Sequence, residues 1–442
     1  MKNKLNKIDV LALALGSIIG WGSFTLPGSK FLQESGIIST AIGFILGGIA
    51  IIFIQKGYHI MMSTHHEDGG EFSYTYDKMG KAKGFIVGWS LILCYLSMIP
   101  LNATAFVLVI KRLFGSSVEF GYLYEVAGYP VYISEIIMAS LIILLFAYIN
   151  IKGLNLSSRV QNIMILLMVV NIVIVFSYMF VTTDRSLFVD TYINNYSFSF
   201  SQIARVFAIV PFLFVGFDVI PQVTTDLGFE PEKASRMVVL AIISGVLFYN
   251  VLNITTGLVY TPEQAILEEW ALGTAILDNM GYIGFILLVI SLAGAVAGGI
   301  NGFMLSSSKL VGALSSYKLI PDKYQSVNDN HVFHNGIKLV ALVSLIAPWF
   351  GREVIIYIVD MSSFLAAVAY FYVCYIGVKN SRGLDKTLSA IGGIFSITFM
   401  LLLILPGSPA RLSGTSMLFM IVWSLVGLIY YKKYASLDNI DS

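Results

Sequence analysis

Two carboxylates stand inside otherwise uncharged apolar sequence: Asp218 in Phe212-Leu213-Phe214-Val215-Gly216-Phe217-Asp218, and Asp360 in Ile358-Val359-Asp360-Met361-Ser362-Ser363. An acid so placed takes a proton, pairs with a cation or accepts hydrogen bonds, because an unpaired charge is too costly to keep there. Two readings stay open for Asp218: it carries a coupling proton, or it holds an irregular segment in shape. Asp360 reads slightly better as the cap of a helix segment than as a proton carrier. Backbone groups offer chemistry of a second kind. Ala14 to Phe24 contains Gly16, Gly20 and Gly22, and Pro211 to Pro221 contains two prolines, Gly216 and Asp218. Each glycine weakens a helix by up to about 1 kcal/mol and each interior proline by about 3 kcal/mol. A helix broken there exposes N–H groups at one stump and C=O groups at the other, each carrying part of the helix dipole. His65, His66, Glu67 and Asp68 are metal-type donors, but without a second cluster they read as a solvated loop, and no metal or cofactor is expected.

These groups must be held by apolar helices. Of 442 residues, 57% are hydrophobic and 12% charged, about half the charge of an ordinary soluble domain. The apolar residues come in runs free of Asp, Glu, Lys and Arg, such as Val10 to Ser29, Gly84 to Ile110 and Met280 to Ser308. Each is long enough for the roughly 20 residues that cross a hydrocarbon core. About twelve transmembrane helices follow: 8–31, 36–61, 84–114, 131–150, 158–182, 201–225, 235–260, 279–316, 337–350, 354–378, 387–405 and 413–431. The ninth is short, and 262–277 reads as a surface helix between the seventh and eighth. The fold class is therefore all-α, a polytopic membrane protein whose surroundings are the lipid bilayer. Cys94 and Cys374 lie within apolar runs and read as packing residues.

Basic residues fix an orientation. With a cytoplasmic N-terminus, about 20 of the 27 Lys and Arg fall on the cytoplasmic side, among them Lys2, Lys4, Lys78, Lys81, Lys233, Lys318, Lys379 and Lys432. About six, including Lys30, Lys111, Arg352 and Arg411, fall outside. Both termini are thus expected in the cytoplasm of a multi-pass plasma-membrane protein. A net charge of +1 gives no argument for nucleic acid.

Five spans separate the two breaks. That spacing fits two five-helix repeats, 8–182 and 201–378, each opening on a discontinuous helix and running in opposite orientations, followed by two added helices over 387–432. Paired interruptions of this kind point to a transporter binding site near the bilayer midplane. Close packing by small residues is the plainer reading of either break alone.

The segment Gly16-Ser17-Ile18-Ile19-Gly20-Trp21-Gly22-Ser23-Phe24 resembles the first-helix signature of the amino acid–polyamine–organocation (APC) transporters. Phe212 to Asp218 resembles their sixth-helix signature, and Gly69-Gly70-Glu71-Phe72-Ser73-Tyr74 and Asn301 to Lys309 are also similar to that family. The resemblance, over about residues 8–432, implies an inverted five-plus-five repeat core with broken helices 1 and 6, and alternating access. It implies that a substrate carboxylate meets N–H groups around Trp21, Gly22 and Ser23, beside Gly20. The ammonium would meet carbonyls near Ile18, Ile19, Phe212 and Val215, with Gly216 at the turn. Phe212 would be an aromatic lid, and the third and eighth helices would wall the pocket near Ser97, Met98, Ile300 and Asn301. Phe212 and Trp21 are otherwise ordinary packing residues.

Coupling is less legible. Sodium-coupled relatives use hydroxyls on the eighth helix, where this chain has Gly298 and Gly299, so sodium is disfavoured. A lysine on the fifth helix of some proton-coupled relatives corresponds to Met168. Proton symport through a carboxylate, exchange and uniport stay open. The expected function is a secondary transporter, a permease for an amino acid, a neutral one by the lack of fixed pocket charge. A polyamine or organic amine permease is the alternative, and a non-transporting membrane amino acid sensor is the rival from another class. No enzyme is expected, since no catalytic groups converge at the membrane surface.

Overall fold

The computed structural model describes residues 4–126, 129–408 and 410–437; Lys2 of the N-terminal basic cluster lies outside them. The chain is almost entirely helical. Among the described residues nine helices are long and apolar enough to cross a membrane, or ten if the bent first pair counts as one span.

Asn6 starts the first helix, Lys7–Ile18. Its Oδ1 accepts the N–H groups of Ile8 and Asp9, and the Asp9 carboxylate accepts the Asn6 N–H at 2.8 Å. That reciprocal cap satisfies donors a helix start would otherwise strand. The helix stops at Ile18, resumes at Gly22–Leu26, and bends by 46° between the two parts. The second helix, Ile38–Thr64, lays Gly43 and Gly47 against Val206 and Val210 of the sixth segment. A Cβ on either glycine would fall within 3 Å of a valine side chain, so small residues set how closely these helices approach. Lys81–Phe114 follows with Pro100 inside it, then Ile133–Ile151 and Leu154–Thr182.

The sixth segment is helical over Phe200–Leu213, irregular through Phe214–Asp218, and helical again over Val219–Gln222 and, as a 3₁₀ turn, over Thr224–Asp226. Gly216 sits at φ +124, open to glycine because it lacks a Cβ. Pro231–Gly257 is the seventh helix. The helix read from sequence over 262–277 is instead two pieces. Pro262–Ala265 is capped by Thr261, and Ala271 opens a 46-residue helix to Ser316 that kinks at Gly281 (φ 67). His334–Ile346 is short and passes through a 3₁₀ turn with Pro348 into Gly351–Asn380. Gly383–Ile404 and the helix from Gly414 to Leu437 complete the chain.

Several elements were not read from the sequence. Gly70–Met79 is a helix between the second and third segments, and Tyr122–Val126 pairs antiparallel with Tyr129–Tyr132 in a small hairpin. The last helix leans on the third. Trp89 and Trp423 stack with ring centroids 4.4 Å apart, and each indole N–H donates to the other residue's carbonyl, at 3.0 and 3.1 Å. Only 11% of the last helix's apolar window is buried, so most of its leucines and isoleucines face outward, as lipid contact requires.

Candidate functional site

The two interruptions meet. A Cβ at Gly216 would lie 2.5 Å from the Ser17 carbonyl carbon and 2.6 Å from its oxygen, so the sixth segment's turn presses on the backbone where the first helix ends. Ile19 N–H closes the last turn onto Leu15 O at 2.9 Å. Beyond it, among the described residues, the N–H groups of Gly20, Trp21 and Gly22 find no backbone acceptor, while Ser23 and Phe24 bond back to Gly20 and Trp21 at 3.3 and 3.1 Å. The carbonyls of Ser17 and Ile18 likewise have no donor four residues on. Unpaired donors at one stump and unpaired acceptors at the other are therefore present side by side.

A cavity of about 40 Å³ lies between these stumps, lined by Ser17, Ile18, Gly20, Trp21, Gly22, Met98, Leu101, Asn102, Phe212, Leu213, Val215, Tyr249 and Phe303. Among the described residues no charged side chain lines it. The volume is that of one or two waters, so a solute requires the walls to part. Of the residues named from sequence, Ile18, Gly20, Trp21, Gly22, Met98, Phe212 and Val215 gather there. Ile19 and Ser23 sit just behind, the Ser23 hydroxyl donating to Gly20 O at 2.8 Å. Ser97 faces the tenth helix, sharing a 3.1 Å hydrogen bond with Ser362. Ile300 is fully buried away from the cavity. Asn301 is the hub of another cluster: its Oδ1 accepts from Asn150 and Ser157, and its Nδ2 donates to Gln161 Oε1 at 2.9 Å. Sequence reasoning missed Asn102, Tyr249 and Phe303. They come from three different helices, and helical phase over a long apolar run is not fixed tightly enough to pick them.

Gly298 and Gly299 face inward where no side chain fits. A Cβ at Gly298 would meet Gly16 Cα at 3.1 Å, and one at Gly299 would meet Asn102 Nδ2 at 2.9 Å. Met168 is fully buried beside Gly294.

Asp218 is fully buried and does not line the cavity. Its Oδ1 accepts the Gly216 N–H at 2.7 Å and its Oδ2 the Tyr95 hydroxyl at 3.1 Å. Tyr95 also reaches Glu71 Oε1 at 3.4 Å, a second fully buried carboxylate. Glu71 further accepts from the Tyr58 hydroxyl at 3.1 Å and from Gln222 Nε2 at 2.6 Å. Burial first, then the Asp218 carboxylate, push the Glu71 carboxyl well above its ordinary 4.5. Asp360 sits in the interior of Gly351–Asn380, so it caps no helix end. It lines a cavity of about 370 Å³ with Trp21, Lys30, Phe212 and Arg411.

Trp21 divides spaces. It also borders cavities of about 500 and 320 Å³ on the face away from the termini, and the Arg352 guanidinium lies 4.4 Å over its ring. Cations stack favourably on indole. On the face bearing the termini, Lys309 is held by Asp226 at 2.6 Å and Asp68 at 3.2 Å. Leu5 N–H donates to Asp226 O and Gly228 N–H to Leu5 O, at 2.8 and 2.9 Å. His65 and Glu67 are joined by Asp77 from the Gly70–Met79 helix into one acidic group. There the Tyr317 hydroxyl lies 2.8 Å from Glu67 Oε2, and the His65 ring 3.7 Å from Asp77.

Similarity to known proteins identifies the family. Over nearly all of its length, residues 5–428, the chain matches the amino acid permease family. It is 23% identical to the branched-chain amino acid permease BcaP of Bacillus subtilis, covering 98% of this chain and 93% of that protein. A methylthioribose transporter of the same organism is equally similar over the same shares. The serine/threonine exchanger SteT, also of B. subtilis, is 22% identical over 73% of this chain and 70% of its own length. With paired breaks meeting in a membrane bundle and a family match from end to end, the chain is an amino acid permease of the APC superfamily.

Proposed function

We propose that this chain is a secondary transporter that carries a neutral amino acid across the plasma membrane by alternating access. Its architecture on this reading is twelve spans with both termini cytoplasmic, an inverted repeat over 8–182 and 201–378, and two added helices over 387–432. One observation carries the reading: unpaired N–H groups at Gly20, Trp21 and Gly22 face a cavity shared with Ile18, Phe212 and Val215 and free of charged side chains. A zwitterion satisfies both stumps at once, its carboxylate on the donors and its ammonium on the carbonyls. A substrate with a formal side-chain charge would enter without a partner. An amine without a carboxylate would leave the three N–H groups unmet, and Asp218, already committed to Gly216 and Tyr95, gives it no counter-ion in the cavity.

The branched-chain permease and the serine/threonine exchanger favour apolar or small polar side chains as the first to try. The test is uptake and exchange of labelled leucine, valine, serine, threonine, alanine, lysine, putrescine and methylthioribose by the purified protein in proteoliposomes. Saturable leucine or serine uptake, competed by neutral amino acids and not by putrescine, is expected. Tight binding of an amino acid without any flux would replace the transporter by a sensor.

A further inference from the structure

Glu71 lies outside every membrane-spanning helix, on Gly70–Met79, yet is as fully buried as Asp218. It sits below the cavity floor, on the side of the termini. Groups of every neighbouring element face it: Tyr58 from the second helix, Cys94 and Tyr95 from the third, Asp218 and Gln222 from the sixth, Tyr370 from the tenth, and Tyr74 from its own helix. None is a cation. Among the described residues no ion pair includes Glu71 or Asp218, and the buried ammonium of Lys309 is committed to Asp226 and Asp68.

Two ionised carboxylates cannot share such a place, because each lacks solvent and a counter-ion and each repels the other. The hydrogen-bond inventory agrees. The Tyr95 hydroxyl owns one hydrogen, but Asp218 Oδ2, Asp218 O and Glu71 Oε1 lie 3.1, 3.2 and 3.4 Å from it. One added proton resolves the deficit. With Glu71 protonated, its O–H donates to Tyr95 Oη and Tyr95 donates to Asp218. If Asp218 takes the Tyr95 hydrogen while Tyr95 takes that of Glu71, one O–H bond forms and one breaks at the tyrosine, and the proton moves without a free charge appearing.

We propose that Glu71 and Asp218, bridged by Tyr95, form a single-proton site that binds the coupling ion of transport. This rests on the transporter reading. Asp218 follows Val215 and Gly216 at the cavity, and Glu71 belongs to a helix pressed on the inner half of the sixth segment: a Cβ at Gly70 would meet Gln222 Nε2 at 2.8 Å and the Pro221 carbonyl carbon at 3.1 Å. A shift of that inner half against Gly70–Met79 separates the carboxyls and gives the Glu71 side a path to the cytoplasm. The ligand is a proton and not sodium, because both carboxylates are met by hydroxyl, amide and N–H donors where a metal ion needs oxygen acceptors.

The experiment uses full-length protein in proteoliposomes with the membrane potential clamped, tritiated L-leucine outside and a pH dye inside. A one-unit inward gradient sustains up to about tenfold accumulation at one proton per leucine, and leucine entry acidifies the lumen. Glu71→Gln is expected to exchange leucine for leucine while losing both responses. Tyr95→Phe, which keeps both carboxyls, is expected to slow proton-driven uptake more than exchange, and it decides the matter if Glu71→Gln does not fold. A wild type that exchanges leucine but neither accumulates it nor acidifies the lumen under the gradient, or either variant accumulating like wild type, overturns the proposal while leaving transport intact. Should the wild type move no amino acid, the transporter reading fails separately. Infrared difference spectra between about pH 5 and about pH 8 then judge the shared proton. A carboxylic-acid band abolished by Glu71→Gln supports it, and its absence overturns it.

Discussion

At Gly216 the backbone turns left-handed against Ser17 with no room for a methyl group. Gly216→Ala therefore strains the turn and drives apart the two breaks, and is expected to cost about 2 kcal/mol or more; a melting temperature equal to wild type in detergent would refute that contact. Gly20 and Gly22 differ. A Cβ at either meets only side-chain atoms at 3.3–3.4 Å or beyond, so Gly20→Ala and Gly22→Ala should fold normally and transport roughly tenfold to a hundredfold more slowly, by displacing the bound solute. Loss of folded protein in both would make these glycines packing residues only. Glu71 predicts a pH effect of definite sign. Its folded carboxyl titrates above the ordinary 4.5, so the folded state holds the proton longer than the unfolded chain. The stability this gives is complete below 4.5 and lost as pH rises through the folded value. Thermal unfolding should show wild type losing stability with rising pH over that window and Glu71→Gln losing less; parallel curves would contradict it. The glycines and prolines of both breaks were legible because their effect is local to the chain. Glu71 was quoted in a motif, but its role was not legible, since burial by residues from four other helices is invisible in a loop of ordinary polarity.

Helices meet here through small residues and a few polar ties, and the ties show which joints matter. Lys309 joins the eighth helix to Asp226 after the sixth and to Asp68 after the second. Removing one partner of a buried pair leaves an uncompensated charge, so Lys309→Met should destabilise by about 3–5 kcal/mol. The Lys309→Met/Asp226→Asn double variant should recover part of the loss in the same unfolding assay; no recovery would mean Lys309 acts through packing alone. The apolar segments were readable because long uncharged runs carry their own signal. The kink at Gly281 and the helix Gly70–Met79 were not. One depends on a single left-handed residue, the other on a short helix of near-neutral hydropathy that is stable only against its neighbours. Helical phase explains the pocket walls likewise. Ser97 and Met98 are adjacent, yet only Met98 reaches the cavity, and Asn301 turns toward the fourth and fifth helices.

Across the whole molecule, cavities of about 320, 370 and 500 Å³ lie beside Trp21 on one face, and on the other Lys309, Glu71 and the segment at Leu5 form a seal next to a cavity of about 240 Å³ that Lys309 and Asp226 line. Deleting residues 1–6 removes the Leu5 bridge and the Asn6 cap. It is expected to weaken that seal, raising labelling of a cysteine placed at Ser307, a fully buried position of Ala271–Ser316 two residues before Lys309, by a membrane-impermeant reagent applied from the side of the termini; unchanged labelling would show that the seal does not need the N-terminus. The charge bias between loops gives only an expected orientation, and which face is closed follows from contacts between distant segments that no local pattern encodes. The paired indoles of Trp89 and Trp423 have an optical corollary. The chain holds five tryptophans, and only a stacked pair 4.4 Å apart should give an exciton couplet in the indole band of the far-ultraviolet circular dichroism, so the protein carries a native reporter of whether its last helix is seated in any detergent or lipid.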